Sequence, residues 1–121
     1  MSTSRPTESV LDRLASAAVS GADAELDLLA RFGPVAVVID CDGERRVVRL
    51  GRPSEHSDEV TLRGTAADWT ALLDPAPSPG LHDLLSLGKS ATTFTVSPSL
   101  EVLVRNLRIL NRFVEVARET A

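Results

Sequence analysis

Between Leu100 and Ala117 apolar residues recur at helical spacing over a width that a lone helix does not tolerate in water. Leu100, Leu103, Leu107, Leu110, Val114 and Ala117 form one stripe, and Val102, Ile109, Phe113 and Val116 form a second beside it. Ser97 is placed to cap this helix, and Pro98 falls at its first position, where a missing N–H costs nothing. So broad a face exceeds what one small sheet covers. Part of it is therefore expected to line a pocket or to meet a second subunit.

The preceding sequence supplies the elements to cover it. Val10, Leu14, Ala17 and Ala18 recur at helical spacing, and after Gly21 so do Leu26, Leu28, Leu29 and Phe32. This predicts two helical pieces broken near Gly21, the second capped by Asp23 and ended by Gly33-Pro34. The polar opening to Glu8 is expected to fray. Two β-branched runs, VAVVID and RRVVRLG, then flank Asp42-Gly43, a hairpin signature because Asp-Gly accepts the positive φ of a two-residue turn. Val48 and Leu50 fall on one face of the second strand, and Val47 with Arg45 and Arg49 on the other.

Further along, Val60 and Leu62 alternate with polar residues as in a half-buried strand. Thr65 and Asp68 resemble a capping box opening a short helix that carries Trp69, Leu72 and Leu73, and Pro75, Pro77 and Pro79 stop it near Asp74. A second short helix is expected from Leu81 to Leu87, and a last strand over Thr93–Val96. This order gives one α+β domain over residues 1–121, with 1–8 flexible. It implies a mostly antiparallel sheet of about four to five strands, helices on one face and a long C-terminal helix. The first strands, joined by short turns, are expected to pair antiparallel.

Composition removes several function classes. The net charge of −4 and the pI near 5.1 oppose binding to a phosphate backbone, so no nucleic-acid partner is expected. No apolar run nears the roughly 18 residues of a membrane span, and the N-terminus has no signal-peptide centre, which points to a cytoplasmic protein. Lys89 is the only lysine among 13 basic residues, a bias suggesting a GC-rich bacterial source. The single Cys41 reads as a buried strand residue.

The chemistry-bearing residues form no complete catalytic set. His82-Asp83 could be a general base with its orienter, but adjacent helical residues diverge and no nucleophile is assigned. His56 sits in the polar RPSEHS loop. Asp40, Asp42 and Glu44 have metal-loop spacing without the rest of such a loop, so a turn with flanking charges is expected, and neither metal nor cofactor is implied. Arg105, Arg108 and Arg112 share a helix face, either as an anion site or paired with Glu101, Glu115 and Glu119.

The stretch VTLRGTAADWTALL, with PSPGLHDLL, a later F-x-V and RNLRILNRFVEVAR, resembles the sterol-carrier-protein-2-like family of small lipid-binding domains. It looks like the variants found with bacterial α/β-hydrolase proteins. The G-x-S-x-G nucleophile pattern is absent, so any hydrolase partner lies on another polypeptide. The resemblance implies a non-catalytic module holding a lipid-like or other apolar small molecule between sheet and helices. Trp69, Leu73, Leu84, Leu85, Phe94, Leu103 and Leu107 would then line the cavity. The alternative is an interaction module whose own side chains fill that space, binding a second copy or a separate enzyme through the C-terminal helix.

Overall fold

The computed structural model describes residues 6–19, 21, 23–52, 57–74 and 93–119. The order is α1 (Pro6–Ala17), α2 (Ala24–Phe32), β1 (Val35–Cys41), β2 (Glu44–Leu50), β3 (Asp58–Gly64), α3 (Ala66–Leu72), β4 (Thr95–Ser97), α4 (Leu100–Arg105) and α5 (Leu107–Glu119). His56, His82, Asp83, Leu84, Leu85 and the helix expected over Leu81–Leu87 lie outside the described residues.

The fold is α+β, with a four-stranded mixed sheet in the order β2-β1-β3-β4. Asp42 and Gly43, at φ 52° and 88°, turn β1 into β2, and Cys41 faces Glu44 across the turn. The expectation of antiparallel pairing holds for β1 with β2 and for β3 with β4, but β3 lies parallel to β1. Burial explains the difference. Val35, Val37, Ile39 and Cys41 are all fully buried, so β1 takes the centre, while β2 carries Arg45, Arg46 and Arg49 and suits an edge. The chain after β2 therefore crosses to the far side of β1.

Alternate residues of β1, β2 and β3, among them Val37, Ile39, Val48, Leu50, Val60 and Leu62, point into one core on the face that the helices cover. The helices start and stop largely where the sequence predicts. Asp23 accepts a hydrogen bond from the Leu26 N–H at 2.8 Å, and Gly33 ends α2 by donating to the Leu29 carbonyl at 2.9 Å. The capping box of α3 is complete in both directions: the Asp68 N–H donates to Thr65 Oγ1, and the Thr65 N–H donates to the Asp68 carboxylate.

Three boundaries differ. α1 begins at Pro6, inside the opening expected to fray as far as Glu8, with proline in its first turn, where no donor is lost. The last strand is Thr95–Ser97, because Phe94 turns into the core beside Gly64. Ser97 pairs with Thr61 in that strand, so Ser99 takes the cap position and the helix starts at Leu100. The closing helix is also broken once. The Asn106 side chain donates to the Val102 carbonyl and to Asp58, dividing α4 from α5.

Where the apolar surplus of the closing helix goes is the main finding of the fold. Ile109, Leu110, Phe113, Val114, Val116 and Ala117 are all buried, packed against α1 and α2. The intramolecular helices thus absorb the face expected to need a pocket or a partner. Among the described residues no helix is long and apolar enough to cross a membrane.

Candidate interaction groove

Of the seven residues expected to line a cavity, Trp69, Leu73, Phe94 and Leu103 belong to one buried cluster, and Leu107 packs at its margin. Leu84 and Leu85 fall outside the described residues. The rings of Trp69 and Phe94 meet edge to face at 5.4 Å, and Trp69 Nε1 donates to the Asp40 carbonyl at 3.1 Å, so the one polar atom of the indole is satisfied. Gly64 makes room for this pair, since a Cβ there would press on the Phe94 ring. None of these five residues lines any of the three grooves described below.

The arginine face of the closing helix divides by residue. Arg105 clasps Asp58 through two hydrogen bonds at 2.9 and 3.1 Å and reaches Glu101 at 3.6 Å. Arg112 holds both oxygens of Asp23, at 2.6 and 2.9 Å, and also pairs with Glu25 and Glu115. The guanidinium of Arg112 and the Leu26 N–H pull the Asp23 carboxyl down to about 2. Arg105, with Asn106 beside it, likewise lowers Asp58. The pairings with Glu101 and Glu115 are the helical-spacing partners that the sequence predicts. Asp58 and Asp23 come from distant elements that spacing alone does not reveal. Arg108 has no partner among the described residues.

The acidic residues near the hairpin are spent on structure. Asp40 is only 4% exposed, yet its carboxylate accepts from the Gly43 N–H at 2.9 Å and from Arg45 Nε at 3.1 Å, with Arg63 Nε at 3.4 Å. Asp42 accepts from the Ala66 N–H at 3.0 Å. With Thr65 and Thr93 these residues border a groove of about 570 Å³. Among the described residues no group of three or more His, Cys, Asp or Glu is arranged to hold a metal ion. Burial, with the carboxylates of Asp42, Glu44 and Asp40 around it, pushes the Cys41 thiol up to about 11, so it stays protonated and unreactive near neutral pH.

Apolar surface is left uncovered on α2. This helix turns Leu26 and Ala30 inward, and its second i,i+4 pair, Leu28 and Phe32, outward at 52% and 80% exposure. Those two side chains, with Leu29, Gly33, Arg105, Asn106, Arg108 and Ile109, line a groove of about 470 Å³ between α2 and the α4–α5 junction. Val104, on the exposed side of α4, is 52% exposed as well. The sequence gives Leu26, Leu28, Leu29 and Phe32 as one set at helical spacing, without separating its sides. The signal that separates them is that Leu28 and Phe32 lie two residues on from Leu26 and Ala30, about half a turn round the helix.

The groove therefore combines a projecting aromatic ring, a recess beside it and, at its rim, a cation with no partner among the described residues. Among the described residues that line it, none is a serine, cysteine, histidine or carboxylate. Comparison with family models, with curated proteins and with solved structures finds no match to this chain, so its function is read from its own side chains.

Proposed function

We propose that this chain is a non-catalytic interaction module that pairs with a second copy of itself through the α2 groove. The observation that carries this reading is the 80% exposure of Phe32, next to Leu28, in a chain that otherwise buries its large aromatic rings. The patch is self-complementary: the Phe32 ring projects, and the recess bounded by Leu28, Leu29 and Ile109 lies next to it. A two-fold arrangement lets each copy seat its ring in the other's recess, which closes the assembly at two. Seating Phe32 contributes roughly 2 kcal/mol per copy before the cost of association. The C-terminal helix takes part through Arg108 and Ile109, but α2 supplies most of the apolar surface.

A second reading keeps the task implied by the sterol-carrier-protein-2-like resemblance, in which an apolar small molecule occupies a cavity. The volume of the same groove, about 470 Å³, falls in the range of small-molecule sites and favours it.

Native mass spectrometry with sedimentation over a concentration series separates the two. Self-association predicts a ligand-free dimer, and Phe32→Asp is expected to give a folded monomer with unchanged far-UV circular dichroism, because the side chain lies outside the core. A wild-type protein that stays monomeric throughout, or a Phe32→Asp variant that still dimerises, overturns the proposal. An extractable apolar compound bound to a monomer supports the carrier reading instead.

A further inference from the structure

The third groove, of about 680 Å³, lies between α2 and the end of β2 and shares no lining residue with the groove beside Phe32. Leu26, Ala30 and Leu50 form its buried floor, with Ala18 and Pro34 half-buried at the sides. Its rim carries Arg31, Arg49 and Arg52, and among the described residues none of the three has a hydrogen-bond or ion-pair partner. The one acid in the groove, Asp27, is already engaged: both its oxygens accept from the Gly21 N–H, at 2.9 and 3.2 Å. Three arginines thus border a groove that holds one committed carboxylate, in a protein whose net charge is −4.

The backbone fixes how closely these two elements meet. Gly51 lies between Leu50 and Arg52 at φ 81°, and a Cβ there would overlap the Ala30 carbonyl oxygen. Only glycine lets the end of β2 press against the last turns of α2, and that approach brings Arg49 and Arg52 to the groove that Arg31 borders. Arg31 alone has another use, since a cation in the last turn complements the carbonyl end of α2. That explanation does not extend to Arg49 or Arg52. Like charges around one groove repel one another, and an anion bound among them relieves that repulsion.

We infer that this groove is a binding site for a phosphate-class oxyanion, held by Arg31, Arg49 and Arg52. Guanidinium forks match tetrahedral oxyanions through paired N–H donors, whereas surface lysines would offer only point charges. The buried floor could also accept a short apolar body attached to the phosphate. Inorganic phosphate and n-octyl phosphate are therefore the two probes.

Each probe is titrated into the full chain and followed by backbone amide chemical shifts. Saturable shifts at Gly51, Arg52 and Arg31 are expected. The Arg49→Gln/Arg52→Gln double variant should weaken binding by about tenfold or more. Both side chains are exposed, so the variant should keep its fold, and its unchanged amide dispersion checks this. Equal affinity for the two probes marks a site for the oxyanion alone, and tighter binding of octyl phosphate marks one that also uses the floor. Absence of saturable shifts with either probe, or shifts that survive in the double variant, overturns the inference. Phe32→Asp should bind both probes as the wild type does, which keeps this result separate from the self-association reading.

Discussion

Helices α2 and α3 have similar lengths and are each capped at the N-terminus by a side chain, but they treat their apolar residues differently. In α3 the capping box aims Trp69 and Leu72 into the core, and both are fully buried. Its end is held too: Arg118 donates twice to the Leu72 carbonyl, at 2.8 and 3.0 Å, and Arg13 donates to the Leu73 carbonyl at 3.4 Å. In α2 the cap is equally well formed, yet Leu28 and Phe32 face outward and the helix ends at an exposed Gly33. A cap thus sets where a helix starts but not how many of its sides are buried. Neighbouring elements decide that, and α2 packs on α5 with its opposite side open.

The difference is sharpest in paired substitutions. Trp69→Ala removes a fully buried indole, its edge contact with Phe94 and its hydrogen bond to the Asp40 carbonyl. The expected loss is about 3–5 kcal/mol of unfolding free energy, measured by urea denaturation. Phe32→Ala should change the stability of the monomer by less than about 0.5 kcal/mol, because its ring touches the core so little. Comparable losses from the two would show that α2 is as deeply integrated as α3 and would remove the ground for an interaction surface there.

A smaller effect is expected where α3 ends. Arg13 Nη2 donates to the Ala117 and Arg118 carbonyls of α5, at 3.1 and 3.3 Å, as well as to Leu73. One guanidinium therefore satisfies the carbonyl ends of two helices that distant parts of the chain supply. Arg13→Leu keeps much of the aliphatic bulk and leaves these acceptors short of donors, and should cost about 2–3 kcal/mol in the same denaturation experiment. A neutral result would mean that water replaces the guanidinium, and that the end of α3 is no better secured than the end of α2.

These cases show what the sequence makes legible. Most local signals held: the Asp42-Gly43 turn, the Thr65–Asp68 box, the Asp23 cap and the Gly33-Pro34 stop each depend on residues within one turn of one another, whereas the Ser97 cap failed because Ser97 is drawn into a strand pairing with Thr61. Signals that depend on a distant partner were not. The parallel pairing of β3 with β1 follows from which strand is most buried, a property of the whole sheet. Arg112 meeting Asp23, and Arg13 meeting two helix ends, join residues far apart in the chain. The breadth of the closing helix was legible as apolar surface, but its destination, the faces of α1 and α2, depended on tertiary packing. The exposed pair on α2 was hidden by the same ambiguity, since apolar residues on both sides of a short helix do not say which side is covered.

The smallest expected effect concerns the α2 cap and its response to acid. Asp23 is held at about 2, below its ordinary value of 3.8, by the Arg112 guanidinium and the Leu26 N–H. A carboxyl with a depressed folded-state pKa binds its proton more weakly when folded than when unfolded. Its contribution is therefore complete above about pH 4 and is lost as the pH falls toward about 2. Asn at this position keeps an oxygen for the Leu26 N–H but has no charge for Arg112. Asp23→Asn should thus lower the melting temperature modestly near neutral pH and flatten its decline on acidification, with the two curves converging near the acid end. Asp58, held down by Arg105 and Asn106, leaves both proteins some acid sensitivity. Parallel curves that never converge would show that the variant is damaged through the cap's geometry and not through the charge. The tie between α2 and α5 would then rest on packing alone, and the comparison with α3 would have to be redrawn around Leu26 and Ala30.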